Sequence, residues 1–184
     1  MPITVVVPEV ELFDSKENRF IMAPEVILEM EHSLVSLSKW ESRFKKPFLG
    51  DAQKTTEETY GYMQAMCLDP KVPLSVIQRI SSEDHQRINE YIEDTMTATW
   101  FSKDPRDSGR RGEIVTAELI YHWIYALNID MEWENRHLSR LFTLIKTISL
   151  KNNPPKKQRM SKADLAAQRR ELNNARRAQA QSAG

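Results

Sequence analysis

The sequence predicts a mainly α protein: a helical domain with a small N-terminal β-hairpin and a basic C-terminal helical tail. Three observations predict it. Apolar residues recur at three- and four-residue steps, with cap residues at the segment starts, through most of residues 32–150. The first thirty or so residues instead alternate with period two around a polar turn. From Lys151 onward the composition shifts to Ala, Gln and Arg with few large apolar residues. The predicted organisation is a hairpin packed on the body at 1–31, a helical core domain at 32–150, and a mobile basic tail at 151–184.

In the hairpin, Val10 and Leu12 alternate with Glu9 and Glu11, and Val26, Leu28 and Met30 with Ile27 and Glu29, about the turn from Asp14 to Asn18. Folding about Lys16 sets Pro8 opposite Pro24, at a non-hydrogen-bonded position where two prolines remove no ladder bonds. The period then changes. Leu34, Leu37, Trp40 or Glu41, and Phe44 fall at helical spacing, with Ser33 as cap and Pro47 as terminator. Thr55-Thr-Glu-Glu58 is a capping-box pattern that opens a helix to about Leu68, weakened by Gly61. A short helix reaches Ile80, and Ser81 caps another with Ile88, Tyr91, Ile92 and Met96 as its stripe. Residues 101–112 have the composition of an exposed loop.

After Thr116 a helix turns Leu119, Ile120, Trp123, Ile124 and Leu127 inward. Only Asn128 and Ile129 separate it from the next segment, which predicts an antiparallel helix pair. That segment, Asp130 to Leu150, is the longest uninterrupted helical pattern and the expected centre of the fold, capped by Asp130 and stopped by Pro154 and Pro155. In the tail, Leu165 and Leu172 form too thin a stripe to hold a helix on a core.

The formal net charge of zero hides an asymmetry: nine Lys and Arg against two acids from Lys151 onward give +7, so the preceding residues carry −7. Cys67 is the only cysteine, which excludes an intrachain disulfide and a thiolate metal cluster and fits an intracellular site of action. The N-terminal stretch lacks a basic lead and breaks at Pro8, unlike a secretory signal, and no apolar run reaches bilayer length.

Enzyme signals are weak. Glu29–His32 and Glu134–His137 match the Glu-x-x-His pairs of di-iron bundles, but the first straddles the strand-to-helix junction and the second reads more simply as a surface hydrogen bond. Glu118 and His122 lie one turn apart, the spacing of an ordinary helical pair. Cys67 reads as a small core residue, no nucleophile elbow or phosphate loop is present, and Tyr121, Trp123, Tyr125 and Trp133 read as packing. No catalytic residue, metal or cofactor is therefore expected. Arg169 and Arg176, and Arg170 and Arg177, are each seven apart and form one flank of a helix suited to acidic helices or phosphates. The lack of aromatics after Leu150 and the acidic body favour docking to a protein over nucleic acid.

Several segments together resemble the tail assembly chaperones of long-tailed bacteriophages, the siphovirus type of Gram-positive hosts: Glu31-HSLVSLSKWES-Arg43 with Pro47-Phe-Leu49, Thr116-AELIYHW-Ile124, His137-LSRLFTLI-Lys146, Lys151-Asn-Asn-Pro154, and Met160-Ser161 with Arg170-ELNNARR. The resemblance implies a non-enzymatic protein of the infected cell's cytoplasm that binds the tape measure protein and keeps it soluble. It would be displaced as tail tube protein polymerises and be absent from the finished virion. On that reading the helical body supplies homo-oligomer and groove contacts through Trp40 and Phe44, while Arg169, Arg170, Arg176 and Arg177 steer docking. A nucleic-acid-binding accessory protein using the basic tail, and a structural virion component, are the alternatives.

Overall fold

The structure is a computed structural model that describes residues 2–15, 18–50, 52–99, 101 and 114–152, with 166, 169, 170 and 173 of the tail. The chain divides into two compact units, Met1–Ser149 and Leu150–Gly184. Residues 102–112 of the expected loop and most of the expected tail helix lie outside the described residues, although 166, 169, 170 and 173 are helical. No helix of the described residues is long and apolar enough to cross a membrane.

The mainly α class does not hold. The described residues form four strands in two two-stranded antiparallel sheets together with six α-helices, a mixed α/β arrangement. Its physical origin is that extended backbone is built into the core. Strands β1 (Ile3–Val7) and β4 (Val26–Met30) bury Val5, Val7, Leu28 and Met30. The end of β4 then pairs onward with the segment after the second helix: Glu31 N–H donates to the Met66 carbonyl at 2.9 Å and Leu68 N–H to the Glu29 carbonyl at 2.9 Å. A further bridge joins Ser33 to His137, with Leu138 N–H donating to the His32 carbonyl at 2.8 Å.

The hairpin forms, but its register differs from the expected one. β2 (Val10–Asp14) pairs with β3 (Arg19–Ala23), and β1 with β4, so that Val5 faces Leu28, Val7 faces Val26 and Val10 faces Ala23. Folding about Lys16 would have set Val5 opposite Ile27 and Val7 opposite Glu25. A one-residue slip moves a whole strand to its other face, so the apolar set Val5, Val7, Leu28 and Met30 selects the observed register over alignment of the prolines. The ladder is interrupted between the two sheets, where Pro8 and Pro24 have no N–H to give. Arg79 fills the gap: its Nη2 donates to the Pro8 carbonyl and, at 3.2 Å, to the Pro24 carbonyl.

Helix α1 (Leu34–Phe44) starts where predicted, with the Ser33 hydroxyl accepting the Ser36 N–H. Its buried arc is wide enough to serve two cores. Leu34 and Leu37 pack with α5 (Ala117–Ala126) and α6 (Leu138–Asn152) through Ala117, Ile120, Ile124, Leu138, Leu141 and Ile145. Trp40 packs with the hairpin base, α2 (Thr56–Met66), α3 (Leu74–Ile77) and Ile88 of α4 (Ser82–Glu93). Phe48 touches both clusters. The central element is therefore α1 with the extended residues before it, not the expected 130–150 helix.

That segment is also not one helix. Asp130 caps a 3₁₀ turn, Met131–Asn135, Arg136 is extended, and α6 begins at Leu138. His137 is held in the bridge to Ser33, which the chain can reach only by leaving the helical path. The last two helices share one core with α1, in which Ile120 and Ile124 of α5 and Leu138, Leu141 and Ile145 of α6 pack with Leu34 and Leu37.

Candidate functional site

Two places in the described residues concentrate unusual chemistry: a buried polar cluster beneath the start of α1, and the outer half of the hairpin. The cluster arises because Glu31, His32 and Ser33 run through the interior as extended chain. The Tyr91 hydroxyl donates to Glu31 Oε1 at 2.5 Å. His32 Nδ1 meets the Tyr62 hydroxyl at 2.5 Å, and Phe48 stacks on Tyr62 at 3.9 Å. The imidazoles of His32 and His137 lie 5.1 Å apart. Burial, reinforced by His137, lowers His32 to about 4, and burial lowers His137 as well. Burial raises Tyr62 and Tyr91, with Glu31 adding to both. At neutral pH the cluster thus holds neutral imidazoles and phenols around the Glu31 side chain.

The two Glu-x-x-His motifs meet here through their histidines but not through their glutamates. Glu29 is exposed on β4, and Glu134 accepts a hydrogen bond from the Tyr121 hydroxyl at 3.0 Å. His137 is committed at both nitrogens: Nδ1 accepts the Ser139 N–H at 3.3 Å and Nε2 faces the Tyr91 carbonyl at 3.0 Å, so Nε2 carries the proton. Neither nitrogen of His137 is left to bind a metal, and no group of three or more potential ligands gathers among the described residues. A cleft of about 430 Å³ opens beside the cluster, lined by Glu31, Leu68, Met96, Arg136, His137 and Arg140. It is half-open and carries charges of both signs, from Glu31, Glu132, Arg136 and Arg140.

Of Trp40 and Phe44, expected on a partner groove, Trp40 is withdrawn into the interior while Phe44 stays partly exposed. Trp40 is 2% exposed, donates from Nε1 to the Glu58 carbonyl at 2.7 Å, and lies 5.0 Å from Phe44 and 5.1 Å from Phe48. Phe44 is half-buried against Gly61. The reason is electrostatically simple: the indole N–H finds its acceptor in the α2 backbone, so the whole ring can leave water. Cys67 is buried, its thiol raised to about 11 by burial and donating to the Met63 carbonyl. Glu118 and His122 are exposed, as is Tyr125, whereas Tyr121, Trp123 and Trp133 are half-buried against the α5–α6 core. Arg169 and Arg170 are exposed on helical residues, and Arg176 and Arg177 lie outside the described residues.

The hairpin's outer half is the feature that sequence reasoning missed. From Pro8 to Glu25 every residue with a described side chain is exposed except half-buried Ala23. The exposed set includes Leu12 at 42%, Phe13 at 53%, Phe20 at 64%, Ile21 at 40% and Met22 at 60%. Phe13 faces Phe20 across the ladder with ring centroids 5.1 Å apart, and Leu12 faces Ile21. Val6 and Ile27 extend the apolar surface onto the outer face of the base. Isolated apolar side chains on a surface are ordinary, but a contiguous apolar arm marks an interaction site. The available signal was that Leu12-Phe13 and Phe20-Ile21-Met22 are apolar at successive positions, which puts apolar side chains on both faces of the hairpin.

A scan of protein-family models, a search of curated proteins and a search of solved structures each return no match to this chain.

Proposed function

We propose that this protein is a tail assembly chaperone of a siphovirus-type phage: it binds the tape measure protein, keeps it soluble, and leaves as the tail tube polymerises. The reading starts from the resemblance carried by residues 31–49, 116–124 and 137–146. The observation that supports it best is the exposed apolar hairpin, because a long helical partner with uncovered apolar stripes needs an apolar cover that can be released. The hairpin replaces Trp40 and Phe44 as the contact surface in this proposal, and Arg169, Arg170, Arg176 and Arg177 keep their charge-steering role.

The test is co-expression with the tape measure protein of the same phage, scoring the soluble fraction of the long partner and its co-purification. The expected result is a soluble complex that weakens in Phe20→Ser/Met22→Ser and in a chain ended at Asn153. A partner that precipitates regardless of this protein overturns the reading, as does stoichiometric recovery of this chain from purified virions. Retention on DNA with a steep salt dependence would point instead to a nucleic-acid accessory role.

A further inference from the structure

The two edges of the outer hairpin differ in chemistry. In a two-stranded sheet each strand is paired on one side only, so β2 and β3 each present a second side along their length. The β2 sequence, VELFD, has two carboxylates and no cation, so two copies brought edge to edge would gather four negative charges. The β3 sequence, RFIMA, has one charge, at its first residue, and Phe20, Ile21 and Met22 are all exposed.

We propose that β3 is a self-pairing edge, and that two copies of this chain join there about a two-fold axis at Ile21. Antiparallel pairing of β3 with its copy overlaps all five residues in one register only: Ile21 opposite Ile21, Phe20 opposite Met22, and Arg19 opposite Ala23. Sliding two residues toward the C-terminus would instead set Phe20 opposite Pro24, which has no N–H for a ladder. In the two-fold register the arginines sit at opposite ends of the new ladder. Four residues of strand separate them by roughly 13 Å, beyond the Debye length of about 8 Å at physiological salt, so their repulsion is screened. The product is a four-stranded sheet in order β2-β3-β3-β2 with the acidic strands outermost. Phe13, Phe20 and the copy's Met22 become neighbours on one face, while on the other Ile21 meets its copy, with the two Leu12 side chains on its outer flanks. An apolar arm that a single copy leaves in water is thereby partly covered, and the acidic outer strands discourage further addition. The proposal uses the same hairpin as the tail-chaperone reading, but its test reads the oligomeric state of this chain alone and so fails or succeeds separately from that reading.

The test uses the full chain. Ile21→Cys is expected to form a disulfide-linked dimer under mild oxidation, because directly opposed cross-strand positions are within disulfide reach. Arg19→Cys is expected not to, and Cys67 is buried and does not compete. Light scattering on the wild type is expected to give a dimer, and Ile21→Lys, which opposes two like charges at the axis, a monomer with an unchanged circular dichroism spectrum. Ile21 is 40% exposed and outside both cores, so neither substitution threatens folding. A monomeric wild type, a dimer that survives Ile21→Lys, or cross-linking through Leu12→Cys in place of Ile21→Cys each overturns the proposal.

Discussion

Glu41 shows how much one buried carboxylate can organise. Its Oε1 accepts the Phe48 N–H at 2.7 Å and its Oε2 the Ala117 N–H at 2.8 Å, so one side chain fixes both the loop that carries Phe48 and the first turn of α5. A carboxylate on orphan amides at a helix N-terminus is stabilised by the charge and by the helix dipole. Glu41→Ala leaves both amides without this acceptor and is expected to cost about 2–4 kcal/mol, read as a lower urea midpoint with an unchanged slope. A loss below about 0.5 kcal/mol would mean that water replaces the carboxylate at no cost. Position 41 is in phase with Leu34 and Leu37, so its burial was legible; its partners, seven and 76 residues away, were not.

At the scale of elements, the contact of α1 with α2 is set by Gly61. A Cβ built there would lie 2.6 Å from Phe44 Cε2 and 2.7 Å from Cζ, inside any real contact distance. From the sequence Gly61 reads as a helix weakness, and replacing it by Ala in an exposed helix would gain about 1 kcal/mol. Here the Phe44 ring has Trp40 on one side and the Arg43 guanidinium 5.1 Å from its centroid, so it cannot tilt away without loss. Gly61→Ala is expected to destabilise by about 1–3 kcal/mol, and Phe44→Leu in the same chain to recover part of that. Additive losses in the double-mutant cycle would disprove the clash. The caps, by contrast, were local and readable: Ser33, Thr55 and Ser81 each accept the N–H three residues on, and Glu58 closes the capping box by accepting the Thr55 N–H at 2.8 Å.

For the whole molecule the buried cluster predicts a bounded range of pH stability. The folded-state pKa values of His32 and His137 lie below the ordinary 6.5, so the unfolded chain takes up protons first as pH falls. Their contribution is complete above about pH 6.5 and declines below it, that of His32 being lost toward about pH 4 and worth on the order of 3 kcal/mol. Glu58, lowered mainly by its hydrogen bond to Lys46, adds stability above the ordinary carboxylate value of 4.5 that is lost below it. Tyr62, raised above 10.0, reverses the sign on the alkaline side: its contribution is present below that value and lost above it. The buried Cys67 thiol, raised from 9.0 to about 11, adds a loss that starts above about pH 9, so denaturant midpoints are expected to be flat between about pH 6.5 and 9 and to fall on both sides. Midpoints unchanged between pH 7 and pH 5 would show that the histidines protonate without leaving the fold.

What the sequence determined by itself is what depends on near neighbours: the helix starts at Ser33, Thr55, Ser81 and Thr116, the existence of the hairpin, the buried phase of α1 and the asymmetry of charge along the chain. Those follow from capping and periodicity, whose range is one or two turns. Tertiary structure decided the rest. The strand register was chosen by which face reaches the core, not by the prolines. Asp130 to Leu150 was broken because His137 must meet Ser33, and Trp40 was withdrawn from the surface by an acceptor on α2. The apolar hairpin was left in water because the two cores were already filled by α1 and its partners. Each of those outcomes is a competition for a limited buried surface, and that competition is settled only when distant segments meet.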